Sequence, residues 1–247
     1  MRTAVADPRA AVAGPRRAGA GSFGGPIAGL YAITPEVDDR SGVNAGGDVQ
    51  DDDAAAGTIR LLLAVRAAIE GGARVVQYRN KGATRAKRLE HAIGLSAVCA
   101  KFGATFIIND DVALALEIEA DGVHLGRADG DIAKARKRIG PKRLLGASCY
   151  NDLALAQAAH AAGADHVAFG SVFASSTKPG AVRAPLALFG AARALGLPLV
   201  AIGGITTANA AGVIAAGADA IAVISDLFDA PDVRARAAQF AHLFNPT

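Results

Sequence analysis

From Ile27 onward, short aliphatic runs alternate with longer stretches in which apolar residues recur every three or four positions. The first period suits buried strands and the second suits helices with one face against a core. Read this way, strands fall at 28–33, 74–78, 105–108, 122–125, 143–147, 166–169, 199–202 and 220–223. Helices fall at 59–70, 85–102, 112–118, 132–139, 152–162, 186–195, 208–216 and 233–243, the first ended by Gly71-Gly72. Eight strands alternating with eight helices indicate a parallel sheet covered on both faces, and eight repeats in this span match a closed (β/α)8 barrel.

An internal echo supports that architecture. Ala120-Asp-Gly-Val123, Ala164-Asp-His-Val167 and Ala218-Asp-Ala-Ile221 each open a strand behind a helix. An open doubly wound sheet is the alternative, but no G-x-G-x-x-G follows the first strand. Two segments break the pattern. Residues 1–25, rich in Ala, Gly, Pro and Arg, show neither period and are expected to be a disordered tail ahead of a single barrel domain at 26–247. Residues 36–57 carry six Asp among glycines and read as a solvated acidic loop inserted after the first strand.

Composition narrows the class. The chain has 247 residues, 51% hydrophobic, with nine Phe, three Tyr and no Trp, which suits a layered aliphatic core. Two cysteines, Cys99 and Cys149, are no disulfide framework and fit a reducing cytoplasm. No apolar run approaches the roughly 18 residues of a membrane span. The net charge of +3 averages a −6 insert against residues 58–247, where 21 basic groups face 15 acidic ones. That balance favours small anionic ligands. Nucleic acid is disfavoured, because no Lys/Arg cluster interleaves with exposed aromatics. The expected partners are small-molecule substrates, with a homo-oligomer left open by the sequence.

In a closed parallel barrel the chemistry sits at the C-terminal ends of the strands, and polar residues gather there. The second strand runs out as Gln77-Tyr-Arg79-Asn-Lys81, placing an amide and two cations on one face. Two cations side by side call for an anion between them, and phosphate or diphosphate matches an Arg fork and a Lys point charge. A strand end that only meets solvent is the simpler alternative. The third strand ends Asn109-Asp110-Asp111, where Asp111 can cap the next helix and Asp110 can hold a hard cation. Asp129 follows the fourth strand and would lie near Asp110; read alone, it serves equally as a helix cap. His124 faces inward and reads as a packed, hydrogen-bonded histidine. Ser148 ends the fifth strand. A hydroxyl-rich loop, Ser175-Ser176-Thr177-Lys178, follows the sixth and can close over an anion or serve as an ordinary linker. Gly203-Gly204 after the seventh strand and Ile224-Ser225 after the eighth occupy the register of the common phosphate site of such barrels.

Taken together, these segments resemble the thiamine phosphate synthase family. The resemblance is carried by Leu30-Tyr-Ala-Ile-Thr34, Gln77-Tyr-Arg-Asn-Lys81, Ile108-Asn-Asp110, Ala120-Asp-Gly-Val-His-Leu-Gly126 with Asp129, Ser175-Ser-Thr-Lys178 and Ala201-Ile-Gly-Gly-Ile205. It implies a transferase joining hydroxymethylpyrimidine diphosphate to a thiazole phosphate, with release of thiamine monophosphate and pyrophosphate. It further implies Mg²⁺ on Asp110 and Asp129, with Arg79, Lys81 and Lys178 around the leaving pyrophosphate. Asn109 and Ser148 would hydrogen-bond that substrate and Gln77 would orient its pyrimidine. The thiazole phosphate would fall to Ser175, Ser176, Thr177, Gly204, Ile224 and Ser225. Here Ser175 replaces a usual threonine, and Cys149-Tyr150 stands where the family often has a histidine. A thiazole tautomerase on the same barrel and a non-catalytic barrel that binds a phosphorylated metabolite are the competing expectations.

Overall fold

A computed structural model of the chain describes residues 25–37, 51–174, 180 and 182–244, with side chains from 55 onward in the first helix. Eight parallel strands close into a barrel in chain order, β1-β2-β3-β4-β5-β6-β7-β8. They are β1 (Gly29–Ile33), β2 (Ala73–Tyr78), β3 (Thr105–Asn109), β4 (Gly122–Leu125), β5 (Leu144–Tyr150), β6 (His166–Gly170), β7 (Leu199–Ile202) and β8 (Ala220–Val223). Around them lie α1 (Asp51–Glu70), α2 (Arg85–Phe102), α3 (Val112–Glu117), α4 (Ile132–Ile139), α5 (Leu153–Ala161), α6 (Ala187–Ala192), α7 (Ala210–Ala215), α8 (Ser225–Phe228) and α9 (Val233–His242). Among the described residues, no helix is long and apolar enough to cross a membrane.

The period of two explains the layers. Tyr31, Ile33, Val75, Ile107, Ala168, Val200, Ala220 and Ala222 form one buried cluster and fill the barrel. The residues between them, such as Leu30, Val76, Phe106, Val123, Leu145, Val167, Leu199 and Ile221, belong to two larger clusters packed under the helices. Strands covered on both sides need no alternation of apolar with polar residues, which is why they read as continuous aliphatic runs. The inward positions also carry Gln77, His124 and His166, all buried.

Several bounds shift by one to three residues, and three differences bear on the site. The last residues of the anticipated acidic loop, 51–57, are the first turns of α1. Alanine at 54–56 favours helix, and an acidic triplet is what a helix start favours. Residues 38–50 and the tail at 1–24 lie outside the described residues. β5 runs on to Tyr150 through an irregularity between Ser148 and Tyr150. Between β8 and α9 an additional short helix, α8, begins at Ser225. A single turn leaves too few periodic positions to be seen in a sequence.

Candidate active site

The polar residues expected at the mouth do lie at the C-terminal ends of the strands, on or beside a cavity of about 1150 Å³. Gln77, Arg79, Asn109, Ser148, Gly204, Ile224 and Ser225 line it, together with His124, Arg127 and Tyr150. Ser175, Ser176, Thr177 and Lys178 lie outside the described residues.

β2 delivers its three polar side chains to different partners. Gln77 stays inside, where its Nε2 donates to the Tyr31 hydroxyl at 2.7 Å. Burial pushes the Tyr31 hydroxyl far above its ordinary pKa, so it remains a neutral anchor for that amide. The Arg79 amide donates to Thr34 Oγ1 at 3.0 Å, and its guanidinium pairs with Glu36 at 2.5 Å. Lys81 Nζ lies 2.8 Å from Asp110 Oδ2. Each of the two cations thus has its own carboxylate, Glu36 for Arg79 and Asp110 for Lys81. Hydrogen bonding to Asp110 is the main cause that raises the Lys81 ammonium above its usual pKa.

β3 and β4 bring the two aspartates together. The register pairs Asn109 with His124, and the Asp110 amide donates to the His124 carbonyl at 2.8 Å. This last bond turns Asp110 out of the strand into the left-handed region, at φ 64°. A non-glycine residue stays there only when its surroundings enforce it. The next residue, Asp111, does cap α3, accepting from the Leu114 amide at 2.9 Å. Asp129 is not a helix cap: Asp131 caps α4, accepting from Lys134 at 2.7 Å. Asp129 instead turns back, and its Oδ2 accepts from the Gly126 amide at 3.0 Å. A Cβ at 126 would stand 2.6 Å from that oxygen, so a side chain there would push the carboxylate out of this position. Burial first, and then the Asp110 carboxyl within hydrogen-bonding reach, raise the pKa of Asp129. Two neighbouring carboxylates of this kind want a cation between them.

Glycine also makes room deeper in the site. A Cβ on Gly146 would meet His166 Nε2 at 2.2 Å and His124 Nδ1 at 2.4 Å, so this position lets two imidazoles share the barrel interior. His124 Nε2 in turn lies 2.9 Å from Ser148 Oγ. His124 is packed and hydrogen-bonded, as its inward register predicts. On the far side, Gly203 and Gly204 take φ of 104° and 63°, and the Phe173 amide donates to the Gly203 carbonyl at 2.9 Å. This stitches the start of the β6 loop to the end of β7.

The comparisons with known proteins bear on the family and the fold. The model of a family described as thiamine monophosphate synthase matches residues 49–227. The chain belongs to the thiamine-phosphate synthase family. A thiamine-phosphate synthase of Methylobacillus flagellatus is 53% identical over 89% of this chain and 97% of its own length, and one of Chromobacterium violaceum is 52% identical over 88% and 97%. Among solved structures, a thiamine phosphate pyrophosphorylase of Pyrococcus furiosus superposes with a TM-score of 0.71 at 34% identity, over 87% of this chain and 95% of its own. Membership of this family makes the chain a transferase of thiamine biosynthesis.

Sequence reasoning missed three residues at the mouth. Glu36, assigned to the acidic insert, is the counter-ion of Arg79. Arg127 lies over the Tyr150 ring at 5.1 Å, and Tyr150 itself sits at φ 54°. The only trace in sequence was their closeness to Asp129 and Ser148, because nothing in a strand pattern announces a left-handed tyrosine.

Proposed function

We propose that this chain joins 4-amino-2-methyl-5-hydroxymethylpyrimidine diphosphate to 4-methyl-5-(2-phosphoethyl)thiazole, giving thiamine monophosphate and pyrophosphate. The observation that carries the reading is the convergence of Asp110, Asp129 and Lys81 beside a cavity lined by Arg79, Asn109 and Ser148.

The donor set fits magnesium. Among the described residues no group of three or more His, Cys, Asp and Glu forms a metal cage. A pair of carboxylates is what magnesium uses when water and substrate phosphates complete its shell. Asp110 and Asp129 would hold the ion, which supplies positive charge opposite the diphosphate. Arg79 and Lys81 add charge at the same place, the first from a guanidinium with donors beyond the one that Glu36 engages. As the bond to pyrophosphate breaks, negative charge grows on the leaving oxygens, and fixed cations around them lower the barrier. Lys178 would join them from the β6 loop. Asn109 and Ser148 would orient the diphosphate, and Gln77, steadied by Tyr31, the pyrimidine. The thiazole phosphate would fall to Gly204, Ile224 and Ser225 together with Ser175, Ser176 and Thr177. Bond breaking ahead of attack by the thiazole nitrogen needs no enzyme nucleophile, so positioning and electrostatics carry the rate. A reducing cytoplasm suits the chain, since Cys99 and Cys149 are free and buried.

The test is direct. Mixed with both substrates and Mg²⁺, the purified chain forms thiamine monophosphate by chromatography, and EDTA stops it. No product, with aromatisation of the thiazole substrate instead, gives the site to a thiazole tautomerase.

A further inference from the structure

Two buried imidazoles behind Ser148 have no part in the chemistry so far. His166 Nε2 faces His124 Nδ1 at 3.4 Å, and His124 Nε2 faces Ser148 Oγ at 2.9 Å. The three residues come from adjacent strands β6, β4 and β5, and the register that pairs His124 with Gly146 and Gly146 with His166 sets both rings at one level of the barrel. The rings lie 5.5 Å apart at 36°. Only the missing Cβ of Gly146 lets them meet. The other end of the row is closed, because His166 Nδ1 is buried with no hydrogen-bond partner among the described residues.

That closed end decides which way the row points. Both rings are buried and face each other nitrogen to nitrogen, a contact that needs a proton on one of the two nitrogens and none on the other; burial disfavours charge on either ring, so each carries one ring proton. Two arrangements satisfy the contacts. In the first, Ser148 donates to His124 Nε2, His124 Nδ1–H donates to His166 Nε2, and the last proton sits on His166 Nδ1. This buries an N–H donor without an acceptor. In the second, His166 Nε2–H donates to His124 Nδ1, His124 Nε2–H donates to Ser148 Oγ, and His166 Nδ1 is left with a lone pair. An orphaned buried N–H is the rarer and costlier defect.

We infer that His166 and His124 form a one-way hydrogen-bond row that fixes Ser148 as a donor, its O–H directed into the cavity toward an anionic oxygen of the bound substrate. His124 and His166 are positioning residues: neither reaches the reacting atoms, and both act through the direction in which Ser148 offers its proton. In the reverse arrangement Ser148 would present only lone pairs to a diphosphate, which has no proton to give back at neutral pH. The identity of the accepting oxygen rests on the substrate reading above, while the direction of the row does not.

The experiment has two arms on the full chain. In the substrate-free, 15N-labelled protein near neutral pH, two-bond 1H–15N correlation shows both rings protonated at Nε2, with signals assigned by their loss in His124→Gln and His166→Gln. A proton at Nδ1 of either ring overturns the direction. In the kinetic arm, Ser148→Ala lowers kcat/KM for the pyrimidine diphosphate about 10- to 100-fold, as loss of a hydrogen bond to a charged group does. His124→Leu loses a similar factor and adds nothing in the Ser148→Ala background, whereas His124→Gln, whose amide can donate near the same point, recovers most of it. Additive losses, or an active Ser148→Ala, sink the inference. If His124→Leu does not fold, the tautomers of the two rings decide. Should the unmodified chain form no thiamine monophosphate, the substrate reading falls, and the tautomers still settle the row.

Discussion

The two ends of the barrel use aspartate in opposite ways. At the N-terminal end, Asp121, Asp165 and Asp219 stand just ahead of β4, β6 and β8. Each carboxylate accepts the amide of a residue in the preceding strand: Phe106 at 2.8 Å, Leu145 at 2.7 Å and Leu199 at 2.8 Å. Arg136 pairs with Asp165, and Arg193 with Asp219 at 3.1 Å. The threefold echo in the sequence is therefore a repeated strand-to-strand staple. At the mouth, Asp110 and Asp129 face each other, one raising the pKa of the other, while Asp110 and Tyr150 hold left-handed backbone. Such a conformation costs on the order of 1 kcal/mol at each residue. One end satisfies its charges locally and holds the barrel closed. The other keeps its charges where a ligand can complete them.

The contrast breaks first at Asp110. Asn tolerates the left-handed region and keeps the shape, so Asp110→Asn should cut thiamine monophosphate formation by about 100-fold or more, the scale of losing a preorganised electrostatic group. Its thermal midpoint should stay within about 3 °C of the parent, less than 1–2 kcal/mol for a chain of this size. A fully active variant would remove Asp110 from the site.

Asp165→Ala should do the reverse. It strips the acceptor from the Leu145 amide and from Arg136, a loss of about 2 kcal/mol. A fall of roughly 4–8 °C in the midpoint should follow, with kcat unchanged well below it. Equal damage to rate and stability would erase the division of labour between the two ends.

The smallest effect concerns Asp129. Its raised pKa means that the folded chain binds that proton more tightly than the unfolded chain does. The group therefore stabilises the fold below its ordinary value of 3.8, and that contribution is lost as pH rises through the raised folded value. Asp129→Asn removes the penalty, so without metal it should melt higher than the parent at neutral pH, by no more than about 2 °C given solvent screening. The gap should close in acid. A variant less stable at neutral pH would show that Asp129 holds the Gly126 turn more than it repels Asp110.

Much of this contrast is legible in the amino-acid sequence. β4, β7, β8, α2 and α4 fall where the periodicity puts them, and all but β8 are bounded by glycine, proline or a capping residue. The nearness of Asp110 and Asp129 follows from adjacent strand ends. Their counter-ions do not. Glu36 reaches Arg79 across 43 positions, and neither residue carries a local mark of the other.

By itself, then, the sequence determined the closed barrel, the order of its strands and which end would carry the chemistry, since period and strand polarity are local properties of the chain. Only the tertiary structure decided that Asp129 turns back onto Gly126 instead of capping α4, that Lys81 rests on Asp110, and that Gly146 seats two imidazoles behind Ser148. Those outcomes depend on which atoms distant strands bring within about 3 Å of one another, the range over which hydrogen bonds form. Hydrophobic periodicity places an element to within a turn and carries no information at that scale.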